Sequence, residues 1–284
     1  MTGADRRTEL EAGLRAFRAS HPARTIERDG VSWRYYRGGA GEPALLVLTG
    51  ALGIAEFGFE VAVALEHRFT VITPDYPAVD RAERFLDGLV AILDAEGIGR
   101  AVLHGGSFGG LLVQRLCDRA PARVAAIVLS HTGLVERARV PRWALALSDV
   151  LPDRWFLALL KKRLGGLIRN ADPFWTSWFD DTIQRLGKPA MMARFRLATA
   201  LAGMAPASGP RWNGPTLIVE ADDDPAVNPA QRAALGSRYP GARSHRFSGT
   251  GHIAAVLDPT RYASVVTEFV ESLKDPNPRV NASV

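Results

Sequence analysis

The chain has 284 residues, 47% of them apolar and 23% charged, enough to bury one sizeable core and too balanced in composition for a disordered segment. Its net charge of +5 is almost entirely arginine, since the lysines are only Lys161, Lys162, Lys188 and Lys274. The densest basic run, KKRLGGLIR at 161–169, reads as a solvated helix face rather than a nucleic-acid surface, which would need a wider basic face with interleaved aromatics. The single cysteine, Cys117, excludes an internal disulfide and a cysteine metal cluster and reads as a core position. No apolar run reaches the roughly 18–20 residues of a membrane span. The N-terminal MTGADRRTELEAGLRAF lacks the apolar centre of a secretory signal, so a cytoplasmic protein is expected.

In chain order, Leu10, Leu14 and Phe17 give residues 8–19 a helical spacing. RTIERDG and VSWRYYRGG follow as two strands about an Asp-Gly turn. ALLVLTG, after Pro43, is a continuous apolar run ending in glycine, the pattern of a parallel strand buried on both faces. Strand 69–76, helix 82–96, strand 100–106, the helix SFGGLLVQRLCDRA and strand 123–130 then alternate, which predicts right-handed βαβ units. Between about 132 and 214 the alternation stops. That stretch is helical in character and carries Trp143, Trp155, Phe156, Phe174, Trp175, Trp178 and Phe179. Alternation resumes with PTLIVEAD, a helix from Pro229, the strand ARSHRFSG and a helix from Pro259. The tail DPNPRVNASV has little to bury. The expected architecture is an α/β fold with a mostly parallel sheet, its core formed by residues 1–131 and 215–284 and a helical lid inserted at 132–214.

Gly105-Gly106-Ser107-Phe108-Gly109 matches G-x-S-x-G between a strand and a helix, the context that makes the motif a nucleophile elbow. The turn leaves no room for a Cβ at its flanks, and the helix N-terminus favours negative charge beside Ser107. A serine hydroxyl needs a base to take its proton. The chain order of such sites, Ser then acid then His, leaves His245 and His252. His245 lies inside a strand, whereas His252 follows one on a glycine-flanked loop at the edge where ligands gather. The acid belongs after PTLIVEA, where Asp224 precedes Pro225 at the strand end and Asp222 and Asp223 read as turn formers. Oxyanion donors are expected from the amides of Phe108 and Ala51. Leu52, His131, Trp143, Trp175 and Trp178 are candidates to line the substrate pocket; His131 reads first as a hydrogen-bonded structural histidine, and His104 as a core residue.

The LTG loop at 48–50, GGSFGG at 105–110, EADDDPAV at 220–227 and GTGHIAAVLDP at 249–259 resemble the α/β-hydrolase superfamily, from about Ile26 to Val270. Residues 87–116 and 238–252 are similar to its maspardin-like branch. The resemblance implies the α/β-hydrolase fold and a serine hydrolase acting on an ester-type small molecule of apolar character. It also leaves open a non-catalytic binding or scaffold protein of the maspardin kind, or a C–C bond hydrolase or cyclase of secondary metabolism. Thr49-Gly50 stands where many members carry His-Gly, and Phe108-Gly109-Gly110 departs from the elbow of the proline iminopeptidases. Maspardin lacks histidine at the base position, which His252 fills here. No metal, nucleotide or flavin is expected, the elbow lacking the Lys-Ser/Thr ending of a phosphate loop. The expected partner is a small-molecule substrate, with the protein a monomer or homodimer.

Overall fold

The computed structural model describes residues 3–168, 170–205 and 211–274; the tail DPNPRVNASV and Arg169 of the basic run lie outside them. Helix α1 (Gly3–Ser20) leads into the hairpin β1 (Arg24–Arg28) and β2 (Val31–Gly38). Asp29 and Gly30, at φ 52° and 70°, make its two-residue turn. Then come β3 (Ala44–Leu48), α2 (Phe59–Glu66), β4 (Thr70–Pro74), α3 (Ala82–Ala95), β5 (Ala101–Gly106), α4 (Phe108–Arg119) and β6 (Val124–Ser130). Three helices follow, α5 (Arg142–Val150), α6 (Asp153–Gly165) and α7 (Pro173–Gly203). The chain returns through β7 (Thr216–Ala221), α8 (Pro229–Arg238), β8 (Arg243–Phe247), α9 (Ala254–Leu257) and α10 (Pro259–Ser272).

The eight strands form one sheet in the order β1-β2-β4-β3-β5-β6-β7-β8. The β1–β2 and β2–β4 pairs are antiparallel and the remaining pairs parallel. Side chains alternate across it. Leu45, Val47, Val102 and Val128 face the core built with α1, α2 and α10, while Leu46, Leu48, Leu103 and Leu129 face the one built with α3 and α4. All five residues of β3 are buried, as its unbroken apolar run predicts. The order of connection reverses at β3, whose neighbours are β4 and β5. A crevice at the carboxyl ends of the strands is therefore expected beside β3 and β5.

The alternating elements stand where the sequence puts them, within a few residues. One helix goes unassigned there: in FEVAVALE (α2) Phe59, Val61, Ala62 and Leu65 are buried, and the apolar run is too short and continuous for its period to show. Cys117 is buried on α4. The helices between β6 and β7 are not a detached layer. Helix α7 kinks at Gly187 (φ 68°, ψ 176°) just before Pro189. Its first part adds Trp175 and Ile183 to one core, and its second adds Leu197 and Leu201 to the other.

Candidate active site

Strand β5 ends at Gly106 and α4 begins at Phe108, so Ser107 alone makes the turn, with φ 51° and ψ −113°. A left-handed backbone at a non-glycine residue costs about 1–3 kcal/mol and persists only where its surroundings impose it. Here they do. The Ser107 amide donates to Ser130 O at 2.8 Å, and its carbonyl accepts from Thr132 Oγ1 at 2.8 Å. A Cβ on Gly105 would sit 2.5 Å from the backbone of Gly109, and one on Gly109 would sit 2.2 Å from Leu48 O. Strand, helix and the end of β3 thus touch through bare backbone, and the hydroxyl is left at the carboxyl edge of the sheet.

His252 comes from the loop after β8. Its Nε2 lies 2.9 Å from Ser107 Oγ, and its Nδ1 lies 2.9 Å from both carboxylate oxygens of Asp224. Asp224 follows β7 and is buried; its Oδ1 also accepts from the amides of Ala226 and Val227. Burial raises the affinity of that carboxyl for a proton, but the His252 hydrogen bond and charge outweigh it and hold the group below the usual carboxylate range. Its two neighbours do more than turn the chain: Asp222 accepts from Ser248 Oγ at 2.7 Å and Asp223 from the Gly251 amide at 3.0 Å. Together the three aspartates pin both ends of the segment that carries His252.

Opposite lies the loop after β3. Gly53 N donates to Gly50 O at 2.9 Å, closing a turn that fixes the Gly50–Ala51 peptide and so the direction of the Ala51 amide. Phe108 is the first residue of α4, where an amide has no partner within the helix. The chain pattern gives no sign of what holds this loop. Tyr76 Oη donates to Thr49 O at 2.8 Å, and Tyr76 N donates to Gly53 O at 2.8 Å. Arg194 of α7, 1% exposed, lies over the Tyr76 ring and donates to the carbonyls of Tyr76 and, at 2.6 Å, Pro77. Burial lowers its guanidinium to about 10, so it stays charged at neutral pH, and among the described residues no carboxylate offsets it.

A cavity of about 160 Å³ opens over Ser107. Ala51 and Leu52 form one wall, Val61 of α2 another, and Leu164, Leu167 and Ile168 at the end of α6 a third. Of the expected lining residues the structure brings Leu52 and His131 to this cavity, and leaves the tryptophans elsewhere. Trp143 is 71% exposed on α5. Trp175 and Trp178 stand one layer back, against Phe57 at 5.4 and 5.7 Å between ring centres, and Phe57 and Phe179 face the cavity in their place. The walls are otherwise mainly aliphatic because Trp175 and Trp178 of α7 pack on one another and on Phe57, and Trp175 also on Phe59. His131, at φ 48° after β6, stands edge-on to His252 at 5.9 Å, and its Nδ1 lies 2.8 Å from Ser130 Oγ. His104 of β5 meets Tyr262 Oη at 2.7 Å. Burial pushes both histidines down to about 4, with the charge of His252 adding to the effect at His131. Among the described residues no cluster of histidine, cysteine and acidic side chains could hold a metal ion.

A sheet of this order with a serine elbow after β5, an aspartate after β7 and a histidine after β8 defines a class, and comparison with known proteins agrees. Residues 43–259 match the family described as alpha/beta hydrolase fold, and the chain belongs to that family. It is 29% identical over 260 residues to polyketide synthase ThaQ of Burkholderia thailandensis, covering 83% of this chain but only 12% of that much longer protein. It is 27% identical over 269 residues to the 2-hydroxy-6-oxononadienedioate/2-hydroxy-6-oxononatrienedioate hydrolase of Burkholderia vietnamiensis, covering 86% of this chain and 93% of the relative. Its fold superposes on the enol-lactonase of Burkholderia xenovorans LB400 with a TM-score of 0.73 at 18% identity, over 87% of this chain and all of that one.

The two buried histidines make stability pH-dependent. Their folded values, about 4, lie below the ordinary 6.5, so below pH 6.5 the unfolded chain takes up protons that the folded one refuses. Their contribution to stability is complete above that value and falls toward pH 4, by at most about 3 kcal/mol per histidine. Guanidinium unfolding between those limits should show the slope. The variant His131→Asn, a residue that tolerates the left-handed backbone, should flatten it; a wild-type midpoint constant over this range would contradict the assignment.

Proposed function

We propose that the protein is a serine hydrolase of ester-type carbonyl compounds (carboxylic esters, lactones or thioesters) with a small apolar acyl part. The observation that carries this reading is the unbroken line from Asp224 through His252 to Ser107 Oγ, each link at 2.9 Å. Ser107 Oγ attacks the carbonyl carbon while His252 Nε2 takes the hydroxyl proton. Asp224 keeps the other ring nitrogen protonated and stabilises the imidazolium. The carbonyl oxygen, now negative, accepts from the amides of Ala51 and Phe108. Collapse expels the alcohol or thiol, which takes its proton from His252. Water then gives a proton to the same nitrogen and attacks the acyl carbon; Ser107 leaves with that proton, and the acid is released.

The helices between β6 and β7 act in this reading as a lid, residues 132–214 roofing a core of 1–131 and 215–284 with Leu164, Leu167 and Ile168. A cavity of about 160 Å³ matches one able to take a benzene-sized group. A dienedioate, the substrate class in the Burkholderia vietnamiensis relative's name, fits less well, because the described residues lining the cavity include no lysine or arginine to meet a second carboxylate. A non-catalytic binding role of the maspardin kind would leave Asp224 and His252 aligned on Ser107 without purpose.

Mass mapping after treatment with a fluorophosphonate should find the adduct on Ser107, with labelling at least about a hundredfold slower in His252→Ala. A folded protein that takes no label would favour the binding role. Removing the hydroxyl that holds the loop, Tyr76→Phe, should lower kcat on the best ester found about ten- to a hundredfold with KM little changed, since the loop's amide then drifts from the oxyanion. A change confined to KM would place Tyr76 in ground-state binding instead.

A further inference from the structure

Helices α5 and α6 turn apolar stripes outward. On α5, Trp143, Leu147 and Val150 recur at helical spacing and are 71%, 56% and 78% exposed; no residue of α5 is buried. On α6, Trp155 and Leu159 are 58% and 66% exposed, opposite the buried Phe156, Leu157 and Leu160. Only Leu151 and Pro152 separate the two helices. Water does not favour so many large apolar groups gathered on two consecutive helices of a monomer, and such patches mark contact surfaces.

Charge selects the partner. Arg137, Arg139 and Arg142 lead into α5, Arg154 lies over the ring of Trp155 at 5.7 Å, and Lys161, Lys162 and Arg163 occupy the last turns of α6. The acids among them are answered from elsewhere: Asp149 by Arg196 at 2.5 Å, Asp153 by Lys188 at 3.7 Å and Glu136 by Arg115 at 3.4 Å. The face is therefore apolar with a cationic surround. A second copy seated on it about a twofold axis would set these cations against themselves. A bilayer surface with anionic headgroups meets both properties, the tryptophans and leucines entering the headgroup boundary and the cations reaching phosphate.

We propose that α5 and α6 dock this protein on the surface of an anionic lipid bilayer. No described helix is long and apolar enough to cross a membrane, so the contact is peripheral. The basic run at 161–163, solvated in a lone molecule, then has a ligand. Helix α6 also links this face to the cavity, since Leu164 in its last turn, with Leu167 and Ile168 beyond, lines the wall over Ser107. An apolar compound dissolved in the bilayer would meet the cavity from the lid side. The docking itself does not depend on the hydrolase reading.

The test is cosedimentation of the purified protein with vesicles of phosphatidylglycerol and phosphatidylcholine, beside vesicles of phosphatidylcholine alone. Affinity should be at least about tenfold higher for the anionic vesicles and should fall with added salt. The double variant Trp155→Ser, Leu159→Ser alters only exposed side chains and should keep the wild-type melting temperature while losing at least about tenfold in vesicle affinity. The variant Lys161→Gln, Lys162→Gln, Arg163→Gln should lose most of the preference for anionic lipid. Wild-type protein that stays in the supernatant, or a double variant that sediments as well as wild type, would overturn the proposal. So would a wild-type dimer in analytical ultracentrifugation that the double variant converts to monomer, because a second copy would then cover the face.

Discussion

Everything at the carboxyl edge of this sheet depends on one close contact, the backbone of α4 lying directly against the backbone at the end of β3. A Cβ at Gly109 would be 2.2 Å from Leu48 O, so only a glycine lets the helix start there. With the helix seated, the single residue between β5 and α4 must take a left-handed backbone, and that residue is Ser107. The cost of the strained turn is borne by the parallel ladder on either side, whose strands are buried on both faces. The same contact brings the Thr49–Gly53 loop beside the first amides of α4, so the Ser107 hydroxyl and the amides of Ala51 and Phe108 are positioned by one packing event rather than two.

The loop is held by a second arrangement that reaches α7. Tyr76 grips Thr49 and Gly53, and Arg194 on α7 grips Tyr76. A buried guanidinium without a carboxylate is an expensive device, since its desolvation is offset only by carbonyl dipoles and the tyrosine ring. It ties the helices between β6 and β7 to the carboxyl edge of the sheet. Helix α7 thus does more than cover the sheet edge: its second half shares a core with α3 and α4 and braces the loop from behind.

Much of this was legible in the chain because the relevant signals are local. G-x-S-x-G between an apolar strand and an amphipathic helix, a histidine after the last strand and an aspartate before Pro225 each declare their place through neighbours a few residues away. What the chain hides is pairing across distance. Nothing near Arg194 says that it meets Tyr76 more than a hundred residues earlier, and nothing near Asp223 says that it holds the amide of Gly251. The tryptophans of α5 and α7 mislead for a related reason. Aromatic content says that large rings must be buried or used, but not which layer they occupy. Trp175 and Trp178 pack behind Phe57, while Trp143 faces outward with its helix. Helix α2 escaped notice because eight mostly apolar residues show no period.

In the proposed reaction the Ser107 turn presents its hydroxyl to His252 on one side and to the Ala51 and Phe108 amides on the other. A crystal structure of the protein after reaction with an alkyl phosphonate tests it most directly. Phosphorus is expected on Ser107 Oγ, with one phosphonyl oxygen within hydrogen-bonding distance of both amides and His252 Nε2 facing the departed leaving group. Phosphorus on another residue, or a phosphonyl oxygen turned away from both amides, would contradict it.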